Sequence, residues 1–215
     1  MTDVITVENV TKKYGTITVL DHVSIAFKKG NIYGIVGRNG SGKTVLFKSM
    51  IGYVKPTSGC IRVNGKEIGK DVDFAENIGV IIENPGFLKN YSGYKNLEYL
   101  AGIRKMIGKK EIRESMNLVG LDPDNKKKVG KYSLGMRQRL GIAQAIMENP
   151  DILILDEPMN GLDNQGVEDI RNILLQLKEQ GKTIVLASHN KEDIELLCDE
   201  VFEMDHGKIK MRKDF

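Results

Sequence analysis

The stretch "GIVGRNGSGKT", residues 34–44, constrains this chain more than any other. It fits the pattern GxxxxGK[ST] at Gly37, Gly42, Lys43 and Thr44, following the apolar run "NIYGIV" and preceding Leu46, Phe47, Met50 and Ile51 at helical spacing. Glycines let the backbone from Gly37 through Arg38, Asn39, Gly40, Ser41 and Gly42 to Lys43, Thr44 and Val45 wind tightly, so that successive N–H groups form an anion nest at a helix N-terminus. Lys43 adds a point charge for β and γ phosphates, and Thr44 a hydroxyl for Mg²⁺. Average residue frequencies give a chance match in on the order of one chain in a hundred, before flanking elements are required. The pattern therefore places a nucleotide-phosphate site between a strand and a helix.

Such a site needs an acid at the end of a neighbouring strand. "ILILDEP" offers Asp156, placed to hold Mg²⁺ through water, and Glu157, placed to orient or deprotonate an attacking water. A second apolar run, "KTIVLAS", follows an amphipathic stretch over 166–180 with Val167, Ile170, Ile173, Leu174 and Leu177 on one face. Strand, helix, strand implies a parallel sheet. Near the N-terminus, "VITVENV", "HVSIAFKKG" and "CIRVNGKEI" read as strands, the last with an Asn64-Gly65 hairpin turn. Residues 88–150 are helical in pattern, with Leu97, Leu100, Ile103, Ile112, Met116 and Val119 as expected core positions.

The expected fold is α/β: a P-loop NTPase core with a mostly parallel sheet, an antiparallel β subdomain and an inserted α-helical subdomain. It forms a single domain over 1–215, the core and β subdomain covering approximately 1–87 and 151–215 and the helical subdomain approximately 88–150.

A net charge of +3 in 215 residues is too small to imply a nucleic-acid partner, and Lys109-Lys110 and Lys126-Lys127-Lys128 read as solvated faces. No apolar stretch approaches the ~20 residues that span a bilayer, and "MTDVITVENV" has no signal-peptide pattern, so a cytoplasmic chain is expected. Cys60 and Cys198 have no metal-like spacing and are expected to stay reduced. Two motifs leave alternatives open. "NKED", Asn190 to Asp193, matches the NKxD pattern that reads guanine, but it serves equally as a helix start with Asn190 as N-cap. "VIIENPGFL" ends an apolar run in Glu83, either a solvated loop residue or one that faces a ligand.

With "YSLGMRQRLGIAQAI" added, the chain resembles the nucleotide-binding subunits of ABC transporters over essentially its whole length. Ser133, Leu134, Gly135 and Met136 fall on that family's signature, usually LSGGQ; independently, Ser133 reads as an N-cap, with Met136, Leu140, Ala143 and Met147 forming a buried stripe. The resemblance implies an ATPase using ATP and Mg²⁺, in which Asp163 ends the D-loop, His189 is the switch histidine near the γ-phosphate, and Tyr14 stacks on adenine. It also implies a head-to-tail homodimer or pseudo-homodimer in the ATP-bound state, with the signature of one subunit completing the phosphate cage of the other. The moving part is then a separate transmembrane permease, with this chain peripheral on the inner face of the membrane.

Two positions depart from the family pattern. Leu134 stands at a glycine-type position of the signature, and Glu83 stands where the family has a glutamine that touches the metal or the attacking water; the resemblance implies that Glu83 keeps the catalytic position and the metal contact but, as a carboxylate, cannot donate the amide's hydrogen bond. Together, "ENPGFL" and "YSLGMRQRL" resemble the branch that exports or gives immunity to bacitracin-type and lantibiotic peptides. An export ATPase for another cargo, or a soluble ABC ATPase acting on ribosomes or DNA, is the alternative; the 90 positions between Lys43 and Ser133 (133 minus 43) leave no room for the long insertions of the latter. The closing stretch "DHGKIKMRKDF" leads to no expectation of a further C-terminal regulatory domain.

Overall fold

In the computed structural model, which describes residues 2–83 and 85–212, the chain opens with two long strands, β1 (Asp3–Tyr14) and β2 (Ile17–Lys28). β3 (Ile32–Val36) then leads through the glycine loop into α1 (Lys43–Ile51), which Gly52 ends in the left-handed conformation. β4 (Ser58–Val63) and β5 (Lys66–Glu67) form the hairpin expected at Asn64-Gly65, whose φ values of 49° and 78° are the pair that a two-residue primed turn requires. β6 (Ile78–Ile81) precedes the helices α2 (Gly93–Arg104), α3 (Lys109–Leu118) and α4 (Leu134–Ile146). The chain continues through β7 (Ile152–Asp156), α5 (Asn164–Glu179), β8 (Thr183–Ala187), α6 (Lys191–Leu197), β9 (Glu200–Asp205) and β10 (Lys208–Met211).

Among the described residues the strands form two sheets. β2-β1-β4-β5 is antiparallel throughout. The other has the order β10-β9-β3-β8-β7-β6, parallel except for the edge strand β10. β7 and β8 are buried on both faces, which is why they read as unbroken apolar runs rather than alternating ones. One core packs this sheet against the helices, and a second fills the space between the two sheets and α1.

This strand order decides where chemistry can occur. β3, β8, β7 and β6 are consecutive neighbours, and their carboxyl ends lead respectively into the glycine loop, His189, Asp156-Glu157 and Glu83. Segments more than a hundred residues apart thus converge beyond the carboxyl ends of these strands, the usual place for a ligand in an open parallel sheet.

The helical region holds one correction. Leu97, Ile112, Met116 and Val119 are buried as expected, but Ile103 is 75% exposed near the end of α2, and Leu100 and Met136 are only partly buried. Apolar periodicity identified the helix without distinguishing its core face from an apolar outer face. β6 and α4 meet closely at Gly79, where an added Cβ would lie 2.0 Å from the Ala145 carbonyl oxygen and 2.6 Å from Leu153 Cδ2. Gly79→Ala is therefore expected to cost about 1–3 kcal/mol by overpacking, read as a lower urea midpoint at unchanged slope. An unaltered midpoint would mean that α4 shifts freely on β6.

Candidate functional site

The glycine loop closes on itself before any ligand is considered. Gly37 takes φ 155°, and a Cβ there would lie 2.2 Å from the Met204 carbonyl oxygen, so only glycine fits. Lys43 is buried, and its Nζ donates to the carbonyls of Gly37 at 2.7 Å and Arg38 at 3.1 Å. Burial pushes its pKa down, while Asp156 and Glu157 oppose that shift. Asn39 through Val45 line a cavity of about 410 Å³ together with Glu83, Asp156, Glu157 and His189. Gly37 and Arg38 lie behind it, contributing carbonyls to Lys43 rather than side chains to the cavity wall.

Across from the loop, Thr44 Oγ1 donates to Asp156 Oδ2 at 2.9 Å. The next residue, Glu157, takes φ 52°, a left-handed conformation that costs a non-glycine residue of order 1–3 kcal/mol and recurs at functional sites. Its Oε2 accepts from the His189 backbone N–H at 3.3 Å; its Oε1 is buried with no hydrogen-bond partner among the described residues, although His189 Nε2 lies 3.2 Å away. Burial raises the Glu157 pKa, with His189 opposing. α4 braces the turn: Gln138 Nε2 donates to the carbonyls of Glu157 at 3.2 Å and Pro158 at 2.9 Å.

The remaining predicted residues lie elsewhere. Ser133 caps α4 by accepting from the Met136 N–H at 3.1 Å, and Asp163 caps α5 by accepting from the Gly166 N–H at 2.9 Å. Both line a second hollow with Leu134, Gly135, Met136 and Gly161. Leu134 fits at its position because Gly161 has no side chain; a Cβ there would come within 2.4 Å of it. No described residue lines both hollows. Tyr14 stands 49% exposed at the end of β1, with Lys12 Nζ 4.7 Å from its ring centroid, outside the first cavity wall.

The donor set suits a magnesium ion. Among the described residues no group of three His, Cys, Asp or Glu side chains could cage a metal, whereas Thr44 and Asp156 supply the one or two oxygens with which a protein holds Mg²⁺ when phosphates and water complete its shell.

A model of the ABC transporter family matches residues 20–160. The chain belongs to that family. It is an ABC transporter ATP-binding subunit that hydrolyses ATP, taking its nucleotide with Mg²⁺. It is 49% identical over 206 residues to an uncharacterized ABC transporter ATP-binding protein, YybJ, of Bacillus subtilis, covering 96% of this chain and 94% of that one. It is 43% identical to the bacitracin transport ATP-binding protein BcrA of Bacillus licheniformis and 39% identical to the lantibiotic transport ATP-binding protein SrtF of Streptococcus pyogenes, covering 97% of this chain and 69% and 90% of theirs. A bacterial ABC transporter cassette solved as a dimer superposes with a TM-score of 0.86 at 25% identity, over 98% of this chain and all of that one. The same cassette in a post-hydrolysis state bound to ADP and Pi gives 0.85.

Sequence reasoning missed three residues of this ABC cassette's cavity wall: Val19, Gln138 and Asn160. Gln138 and Asn160 sit inside motifs already singled out, "YSLGMRQRL" and "DEPMNGLD", which was the available signal. Val19 carried none, because β2 reaches the loop only through the packing of one sheet against the other.

Proposed function

We propose that this chain is the ATP-driven motor of a transporter that exports or gives immunity to a peptide antibiotic of the bacitracin or lantibiotic kind. It works as a pair of cassettes, homodimeric or pseudo-homodimeric, docked on a separate transmembrane permease at the cytoplasmic face. The separation of the two hollows carries the motor reading: each phosphate cavity lacks the Ser133 cap, which a second cassette arranged head to tail supplies. Sequence and relatives support the cargo, through "ENPGFL", "YSLGMRQRL" and the names of the bacitracin and lantibiotic proteins.

The chemistry follows from the side chains. Lys43 and the loop N–H groups bind and orient the β and γ phosphates, and Thr44 and Asp156 hold the metal, whose charge offsets that of the phosphates. Glu157 accepts the proton of the attacking water at its unpartnered Oε1, and His189 keeps that carboxylate turned toward the γ-phosphate. Tyr14 offers its open ring face to adenine. Ser133 and Gly135 at the α4 N-terminus present backbone N–H groups to the partner's nucleotide, with the Met136 N–H held by the Ser133 cap and Leu134 shaping that surface, while Asp163 fixes the adjoining turn. In this reading the core and β subdomain span approximately 1–87 and 151–215 and the helical subdomain 88–150.

Among the described residues no helix is long and apolar enough to cross a membrane. A groove of about 570 Å³ between α2, β6 and α4 is edged by Tyr53, Phe74, Ile103 and Met106, all exposed, and suits an apolar segment of the permease. Ile103→Glu is expected to abolish co-purification with a membrane protein, and resistance to the peptide, while ATP affinity stays within twofold of the parent. Recovery of ribosomes or DNA with the parent chain, in place of a membrane protein, would overturn the transport reading.

A further inference from the structure

Glu83 follows β6 with φ 60° and stands on the nucleotide cavity wall; its neighbour Asn84 lies outside the described residues. With Asp156 and Glu157 it gives that wall three carboxylates, against one lysine, Lys43, and no arginine. A polyphosphate must enter there. The compensating charge comes from behind the wall: Lys48, in the last turn of α1 and not itself lining the cavity, donates from Nζ to Glu83 Oε1 at 2.7 Å. The side chains are 29% and 64% exposed, and an ion pair this open adds little to fold stability. Its effect falls on the charge and orientation of Glu83.

We propose that Lys48 is a positioning residue of the nucleotide site, holding Glu83 by one oxygen and cancelling its charge so that a carboxylate is compatible with bound phosphates. The pair then behaves as one neutral unit: the ammonium supplies the donor that a carboxylate lacks, and Oε2 is left for water or ligand. This rests on the reading of the cavity as the MgATP site. It joins two segments that chemistry must coordinate, since α1 begins at the phosphate loop and Glu83 begins the connection toward the helical region.

The test is a cycle of Lys48→Met, Glu83→Gln and the double variant. ATP affinity is measured by equilibrium titration in EDTA, so that no metal contributes, and kcat and KM are measured with MgATP. Lys48→Met leaves Glu83 uncompensated and is expected to weaken ATP binding roughly fivefold, the scale of one like charge near the phosphates, with the loss shrinking at high salt. Lys48→Arg should retain parental affinity. Glu83→Gln alone should bind ATP at least as tightly as the parent, since it leaves the Lys48 charge in place, while altering kcat, and in the double variant it should restore the affinity lost in Lys48→Met. Lys48→Gln, measured alongside, keeps a packing defect of the methionine from deciding the result. Parental affinity in both Lys48→Met and Lys48→Gln, or a double variant as weak as Lys48→Met, overturns the pairing. A parent chain that binds no ATP would instead overturn the reading of the cavity itself.

Discussion

Glu157→Gln is expected to lower ATP turnover by about 10²–10⁴-fold, the range set by loss of a positioned general base, with nucleotide affinity held within severalfold. The amide keeps the size of the side chain and removes the group that accepts the proton. An ATP-bound dimer should then accumulate, visible as a shifted elution volume with two nucleotides retained per pair of chains. Folding stability should move the opposite way from activity. Burial raises the Glu157 pKa in the folded chain, so the ionised form costs folding free energy at every pH above the unfolded carboxylate range, and the neutral amide removes that cost. The variant should melt no lower than the parent and no longer lose stability at this site as pH rises through and above the unfolded carboxylate range. Turnover within tenfold of the parent would remove Glu157 from the role of base and leave its left-handed backbone and unpartnered oxygen without a function.

That expectation could be framed from the sequence because the residues involved lie in motifs whose spacing is local. "GRNGSGKT" needs only its own glycines and the strand before it, and "ILILDEP" reports a buried strand ending in acids. The parallel core was legible for a related reason, since two short apolar runs with one amphipathic helical stretch between them imply a parallel pair. What could not be read is long-range pairing. Nothing near Glu83 announces Lys48, 35 positions earlier, because the contact depends on β6 lying at the sheet edge beyond β7 while α1 leaves from β3. Leu134 looks anomalous in sequence, yet its side chain packs over Gly161, a contact between the first residue of α4 and the loop that follows β7. Ile103 was placed in the core because periodicity cannot separate the face a helix buries against its own chain from one it offers to another.

The segment "SHNKED" shows what such pairing decides. Asn190 is a helix cap, its Oδ1 accepting from the Glu192 N–H at 2.9 Å. Asp193 meets no base: its Oδ1 accepts from Arg171 Nε at 2.9 Å and Nη2 at 2.6 Å, and its Oδ2 accepts from Ser188 Oγ at 3.0 Å. The guanine-reading pattern is thus a buried tie between α5 and α6, ending one residue before His189. With the two side chains only 11% and 2% exposed, Arg171→Met leaves an uncompensated carboxylate in the interior and is expected to cost about 3 kcal/mol, measured by urea unfolding. Adding Asp193→Asn should recover most of that loss, since the penalty lies in the stranded charge rather than in the missing bond. Because Ser188 Oγ also accepts from the Asn190 N–H at 3.1 Å, the tie shapes the backbone on both sides of His189. Arg171→Met should therefore lower kcat severalfold at temperatures where it remains folded, with ATP affinity unchanged. A variant that lost stability but kept parental kcat would restrict the tie to the fold, and one that lost neither would place Asp193 in contact with solvent.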